Sequence, residues 1–159
     1  MIIKGIIDED LVNYKKPCMV IEFPFCSFKC EKECGMQVCQ NGTLAKLKNI
    51  DIKPVYIVAR YIFNDITKSI VAQGLEPMDS WEDLIRLISE FRKQTDDDFV
   101  IYTGYTKEEL QNKGYLDVLK EFSNIIIKFG RFIPNQESHY DNILGIYLAS
   151  DNQFAEKIS

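Results

Sequence analysis

Five short apolar runs, separated by longer stretches with helical spacing, constrain the fold of this chain most strongly. They cover residues 18–23, 69–72, 99–102, 124–129 and 144–148. Nearly continuous apolar character is typical of strands buried on both faces of a parallel sheet, with helices in the connections. The pattern therefore predicts an α/β fold. Five units are too few for a closed eight-stranded barrel, so we expect a partial, open parallel β/α barrel.

Capping residues locate the predicted helices. Pro54 suits the first turn of one helix. Its predicted apolar face comprises Val55, Val58, Ala59, Ile62 and Phe63. Ser80 with Asp83 has the spacing of a capping box for a second helix, and Thr106 with Glu109 has the same spacing for a third.

Ligand sites of parallel α/β folds collect in the loops beyond the carboxyl ends of the strands. Four loops follow predicted strands, and they cover residues 25–41, 74–77, 103–105 and 149–152. We therefore expect these four loops to face one another around a common site.

Four of the five cysteines lie within fourteen residues, at Cys26, Cys30, Cys34 and Cys39. Closely spaced thiolates are typical of iron–sulfur clusters, and a site with only three cysteines leaves one iron open to a non-protein ligand. A four-cysteine zinc site is the alternative. An odd number of cysteines argues against a disulfide framework, and we expect Cys18, in the preceding strand, to be a buried core thiol.

The cysteine loop resembles that of the radical S-adenosylmethionine enzymes, in particular the small activating proteins of anaerobic ribonucleotide reductase. That family places C-x3-C-x2-C after the first barrel strand, and the small activases often continue with Cys-aromatic-Asn. Cys26 and Cys30 match the first pair. The third ligand is either Cys39, which has Asn41 two residues after it, or Cys34. The distance in sequence from Cys30 to Cys34 is closer to the family's spacing than the distance from Cys30 to Cys39. We favour Cys39 because the Cys-x-Asn ending extends the match.

The resemblance continues downstream. Residues 73–77 are similar to the family's Gly-Gly-Glu-Pro turn, whose backbone binds the amino group of S-adenosylmethionine, although Leu75 replaces the second glycine. Residues 101–106, 130–132 and 148–153 are similar to further activase segments, and Lys128 departs from the family because an acidic residue commonly lies there. The resemblance implies that the cofactor is bound by Gly74, Leu75, Glu76, Asn41, Tyr102 and Thr103.

The resemblance implies a single radical S-adenosylmethionine domain over residues 1–159 and a [4Fe–4S] cluster on Cys26, Cys30 and Cys39, with Cys34 as the alternative third ligand. Such an oxidoreductase cleaves S-adenosylmethionine reductively to a 5′-deoxyadenosyl radical. Its implied partners are a glycyl-radical enzyme, such as anaerobic ribonucleotide reductase, and an electron donor such as flavodoxin or ferredoxin. The alternatives are a stand-alone radical enzyme acting on another peptide or metabolite, and a non-catalytic cluster or zinc module.

Charge and hydropathy exclude other classes of partner. The net charge of −5 and the lack of a basic stripe argue against nucleic-acid binding. No apolar run has the length of a membrane span, and the N-terminus lacks the pattern of a secretory signal. We therefore expect a cytoplasmic protein that binds neither nucleic acid nor membrane.

Overall fold

The computed structural model describes all 159 residues and contains ten strands and five helices. The strands are β1 (Ile2–Ile3), β2 (Gly5–Asp10), β3 (Cys18–Phe23), β4 (Ile50–Asp51), β5 (Ser69–Gly74), β6 (Asp98–Tyr102), β7 (Ile125–Phe129), β8 (His139–Asp141), β9 (Ile146–Leu148) and β10 (Phe154–Lys157). The helices are α1 (Lys29–Cys34), α2 (Pro54–Ile62), α3 (Trp81–Arg92), α4 (Lys107–Asn112) and α5 (Tyr115–Leu119), with single 3-10 turns at Leu44–Lys46 and Pro77–Ser80.

Six strands form the main sheet, in the order β10-β7-β6-β5-β3-β2. The inner four strands, β3, β5, β6 and β7, are parallel and follow one another in sequence order. Strands β2 and β10 close the two edges in antiparallel orientation, so the sheet is mixed and not wholly parallel. The strand predicted at 144–148 forms as β9, but it pairs only with β8 in a separate hairpin.

The two faces of the sheet bury two different cores, because successive side chains of a strand point to opposite sides. Helices α2 to α5 all contribute to the larger core on one face, which includes Ile21, Ile70 and Ile127. The smaller core on the other face includes Val20 and Val71, and it is covered by Tyr14, Leu144 and Leu148. Burial on both faces explains why the parallel strands are apolar throughout.

In a segment of a β/α barrel, consecutive parallel strands carry their helices on one face, as they do here. A doubly wound sheet carries helices on both faces. The open-barrel description itself stays a prediction. None of the helices combines the length with the apolar character that crossing a bilayer requires.

Helix α2 begins at Pro54 as predicted, but Val58 is the only residue of the predicted apolar face that is buried. The buried residues are Ile57, Val58 and Tyr61, whereas Phe63 is 87 % exposed. The helix is apolar nearly all round, so its periodicity does not define one face. Tyr61 can be buried because its hydroxyl donates to the carboxylate of Asp97 at 2.7 Å.

Only one of the two predicted capping boxes forms. The side chains of Thr106 and Glu109 exchange the expected hydrogen bonds at the start of α4. The Ser80 hydroxyl makes no hydrogen bond. The carboxylate of Asp83, which would accept from the backbone N–H of Ser80 in a capping box, accepts from the backbone N–H of Ile2 instead, at 3.1 Å. A contact between residues far apart in sequence thus replaces the local cap at α3.

Candidate functional site

A cavity of about 360 Å³ opens where the four parallel strands end. The cysteine loop, the turns after β5 and β6, the segment after β7 and the β8–β9 hairpin all contribute to its lining, which confirms the predicted convergence of the loops. The predicted site residues that line it are Cys26, Cys30, Cys39, Asn41, Gly74, Leu75, Glu76, Tyr102 and Thr103. Their functional roles stay predictions.

The four clustered cysteines do not share one environment. Cys26, Cys30 and Cys39 line the cavity, whereas Cys34 ends helix α1 and does not line it. Cys18 is buried in the smaller core, as expected for a structural thiol. The three favoured ligands therefore line one cavity, and Cys34 does not line it.

A strained turn connects Cys26 to Cys30. Phe28, which precedes α1, has φ 52° and ψ 40°, a left-handed conformation that bulky residues rarely adopt. Its backbone N–H donates to the sulfur of Cys26 at 3.2 Å. Such strain persists only where surrounding contacts fix the backbone, and it concentrates at functional sites. The turn brings both thiols to the same cavity.

Asp79 fastens the cysteine loop to the loops after β5 and β6, a role that no sequence pattern indicated. Its carboxylate accepts from the backbone N–H of Ser27 at 2.7 Å and from the hydroxyl of Tyr105 at 2.6 Å. The Asn41 amide adds a second tie, donating to the carbonyl of Gly74 at 2.7 Å. These bonds join the loops that follow β3, β5 and β6.

Glu109 links three further segments at the rim of the cavity. Its carboxylate accepts from Arg131 at 2.7 Å and from Lys29 at 3.3 Å, and it also forms the cap of α4. The hydrogen bond from Arg131 is the main reason that the pKa of Glu109 is lowered to about 2. The charges of Lys29 and Arg131 are therefore neutralised within the protein.

The turn at 74–76 brings two backbone segments into close contact. Gly74 has φ +99°, and a Cβ built on it would lie 2.7 Å from the backbone nitrogen of Phe23. The next two N–H groups donate to the carbonyls of Phe23 and Phe25, at 3.2 and 2.8 Å. The turn is thus held against the chain leading into the cysteine loop. Leu75 lines the cavity and is half-buried.

Glu76 is 5 % exposed, and its carboxylate fixes the turns after β5 and β6. One oxygen accepts from the Met78 N–H at 3.0 Å and from the Thr103 hydroxyl at 2.8 Å, and the other accepts from the Gly104 N–H at 2.8 Å. Burial raises the pKa of Glu76 to about 7, against the opposing effect of these hydrogen bonds. The side chains of Glu76 and Thr103 are therefore engaged within the protein.

The raised pKa of Glu76 predicts a pH dependence of stability that Glu76→Gln removes. A carboxyl group that binds its proton more tightly in the folded state stabilises the fold below its ordinary pKa, and this stabilisation is lost as the pH rises through about 7. The quantity of interest is the free energy of unfolding of the iron-free wild type minus that of iron-free Glu76→Gln. We expect this difference to fall by about 1–3 kcal/mol between about pH 4.5 and about pH 8.

Urea unfolding of both chains at the two pH values measures this difference. The exposed Glu82, substituted in the same way, is the matched control and should show no such trend. A wild-type advantage that is equal at both pH values would contradict the prediction.

A family model described as "4Fe-4S single cluster domain" matches residues 19–153, which is most of the chain. The matched range includes the cysteine loop and all the cavity-lining residues that follow β3 in the sequence. The chain belongs to this family. As a 4Fe-4S single cluster domain it is an iron–sulfur protein. No curated protein and no solved structure matches it.

The three cavity cysteines suit a four-iron cluster. No three His, Cys, Asp or Glu side chains lie close enough to hold a single metal ion, whereas in a cluster each thiolate binds a different iron. Burial raises the pKa of Cys26 to about 12. The pKa of Cys30 is also raised, first by burial and then by the negative charge of Cys39. Cluster ligands are deprotonated, and the raised pKa values mean that ionising these thiols is unfavourable. The positive charge of the iron would offset the cost of burying the thiolates.

Proposed function

We propose that this protein binds S-adenosylmethionine beside its cluster and cleaves it reductively, activating a glycyl-radical partner enzyme. One observation carries the proposal: a single cavity is lined both by three thiols and by the turn at 74–76. A cluster held by three thiolates would leave one of its irons open to a ligand. A cluster used only for electron transfer has no need of an adjoining cavity.

The residues of the chain have separate roles in this proposal. Cys26, Cys30 and Cys39 would hold the cluster. The backbone of Gly74 and Leu75 would bind the amino group of S-adenosylmethionine. The Gly74 carbonyl already accepts from Asn41, but a carbonyl oxygen has a second lone pair that remains for a ligand. Glu76 and Thr103 would act indirectly, by holding the backbone of the two turns in place.

The chemistry supplied by the bound cluster and S-adenosylmethionine would be one-electron cleavage of the sulfonium to methionine and a 5′-deoxyadenosyl radical, which takes a hydrogen atom from the partner's glycine. The electron would come from a reduced flavodoxin or ferredoxin. The protein contributes binding, orientation and exclusion of competing reactions. Tyr102 contributes to this enclosure, since it lines the cavity with its hydroxyl donating to the carbonyl of Asn13.

The mouth of the cavity favours a macromolecular substrate over a small metabolite. Val12 and Tyr147 both line the cavity, yet they are 71 % and 72 % exposed. These side chains leave the mouth of the cavity flanked by exposed apolar groups. A glycine-bearing segment of a partner could therefore reach the reacting groups along this rim.

Anaerobic reconstitution with iron and sulfide, followed by reduction with dithionite in the presence of S-adenosylmethionine, tests the proposal. We expect 5′-deoxyadenosine and methionine in equal amounts from wild type and neither from Cys30→Ala. A reconstituted and reducible cluster that leaves S-adenosylmethionine intact would contradict the proposal and favour a non-catalytic cluster protein.

A further inference from the structure

Strand β9 has a free edge that the proposed chemistry does not yet use. It pairs with β8 alone, in a hairpin that joins no other strand, so one side of β9 has no neighbouring strand. All three residues of β9 line the cavity, whereas no residue of β8 does. The free edge of β9 therefore lies along the same cavity as the thiols of Cys26, Cys30 and Cys39.

The hydrogen-bond pattern of the hairpin identifies which backbone groups are free. The carbonyl of Asp141 points across the hairpin, since it accepts from the N–H of Gly145 at 2.7 Å. Pairs in an antiparallel ladder alternate between hydrogen-bonded and non-hydrogen-bonded. Asp141 and Ile146 thus form a hydrogen-bonded pair, and the next pair, Tyr140 with Tyr147, is not hydrogen-bonded. The N–H and C=O of Tyr147 therefore point away from β8, and neither bonds to a loop or turn.

The protein itself closes both ends of this free edge. Gly145, just before β9, packs against Lys15, because a Cβ built on the glycine would lie 2.6 Å from the Cβ of Lys15. Just after β9, the N–H of Ala149 donates to the side-chain oxygen of Gln153 at 3.1 Å. Tyr147 lies between these two points and is 72 % exposed. Its backbone is the part of the edge that remains for another chain.

We propose that the glycine-bearing segment of the partner enzyme binds in extended form as an added strand on β9, an assignment that rests on the proposed function. Its backbone would donate to the carbonyl of Tyr147 and accept from the N–H of the same residue, which is how peptides bind to free sheet edges. A helix could not do this, because its backbone groups are paired within the helix. Main-chain hydrogen bonds need no side chain, which suits a segment whose reacting residue is glycine.

Hydrogen exchange, read by mass spectrometry with residue-level fragmentation, tests the free edge and its pairing. The protein is reconstituted and kept oxidised so that no turnover occurs. The amide of Tyr147 should exchange fast because it has no partner, whereas the amide of Leu148, which belongs to a hydrogen-bonded pair, should be protected. Adding anaerobic ribonucleotide reductase together with S-adenosylmethionine should slow exchange at Tyr147 by at least about tenfold.

Three variants distinguish strand pairing from contact with the tyrosine ring. Tyr147→Pro removes the outward N–H without breaking a bond to β8, and proline is tolerated at such edge positions. Tyr147→Val removes the ring but keeps the N–H, and valine is favoured in strands. Tyr140→Pro is the matched control, because it removes the equivalent outward N–H from β8, which does not line the cavity.

Anaerobic titration calorimetry with the same reductase gives a dissociation constant for each protein. We expect Tyr147→Pro to weaken binding about tenfold or more, because a carbonyl of the partner loses its donor. Tyr147→Val and Tyr140→Pro should each weaken it by less than about threefold. Thermal unfolding checks that the variants are folded. If Tyr147→Pro does not fold, the exchange rate of the Tyr147 amide in the wild type decides.

Several outcomes would overturn the strand pairing. Slow exchange at Tyr147 in the free protein would mean that the edge is already occupied, and an unchanged rate with the reductase bound would mean that no strand is added. An equal loss of affinity in Tyr147→Pro and Tyr147→Val would assign the contact to the ring. An equal loss in the two proline variants would indicate a general effect on the hairpin.

Failure of the proposed function gives a different result. A wild type that binds the reductase and protects Tyr147, yet leaves S-adenosylmethionine intact under dithionite, would overturn the proposed function and leave the pairing in place. A wild type that cleaves S-adenosylmethionine but does not bind the reductase would overturn the pairing and leave the cleavage chemistry in place.

Discussion

Cys39→Ala is expected to abolish assembly of the four-iron cluster, whereas Cys34→Ala is expected to leave it intact. Cys39 lines the same cavity as Cys26 and Cys30, and the pKa of Cys30 responds to the charge of Cys39. Cys34 ends helix α1 and does not line the cavity. Iron and acid-labile sulfide per chain, together with the visible absorbance of the reconstituted proteins, measure the outcome.

Cys18→Ala is the control for this experiment, because Cys18 is buried in the core and should not affect iron content. The opposite pattern, with the cluster lost in Cys34→Ala and retained in Cys39→Ala, would contradict the ligand assignment. Cys34 follows Cys30 by one helical turn, so its side chain lies on the same face of α1 and could replace Cys39 after a small movement of the loop. Partial loss in both variants would indicate that the two thiols exchange.

Gly74→Ala is expected to lower the free energy of unfolding by roughly 2–5 kcal/mol, the sum of two effects. An alanine at φ +99° is strained, and its Cβ would lie 2.7 Å from the nitrogen of Phe23 and 2.9 Å from the Cα of Glu22. Both atoms belong to the backbone of strand β3, which pairs with β2 on one side and β5 on the other and cannot move without disturbing them. Chemical denaturation of the iron-free chain measures the change.

Gly114→Ala separates the two effects. Gly114 has φ +73°, but a Cβ built there meets no atom within 4 Å. We therefore expect only the conformational cost at Gly114, about 1–2 kcal/mol. Equal losses in the two variants would show that the close contact between the turn and β3 does not contribute to stability. Because the turn lies beside the cysteine loop, Gly74→Ala should also reduce the cluster content after reconstitution.

Local patterns in the sequence predicted much of the secondary structure. The apolar runs at 18–23 and 99–102 lie in strands β3 and β6, and Pro54 begins α2. The capping box at Thr106 forms as expected. These features depend on neighbouring residues, through side-chain periodicity, the missing N–H of proline and the reach of a capping side chain. They could therefore be inferred without knowledge of the fold.

Contacts between distant residues decided the rest. The face that α2 buries depends on Tyr61, which reaches Asp97 and packs edge-on against Phe91. The edge strands β2 and β10 pair antiparallel with β3 and β7. The apolar pattern of each strand, taken by itself, did not predict these partners or their orientation. Sequence patterns describe how apolar a segment is, but they do not specify its partner.

The apolar strands separated by helices, and the close spacing of the cysteines, are set by the sequence alone, since both are local properties of the chain. Only the tertiary structure brings Cys26, Cys30 and Cys39 to one cavity and leaves Cys34 outside it. Asp79 joins Ser27 to Tyr105 across separations of 52 and 26 residues, and Lys128 enters the cavity from the last parallel strand. Such placements follow from the order in which strands pair, because pairing brings residues together that no local interaction connects.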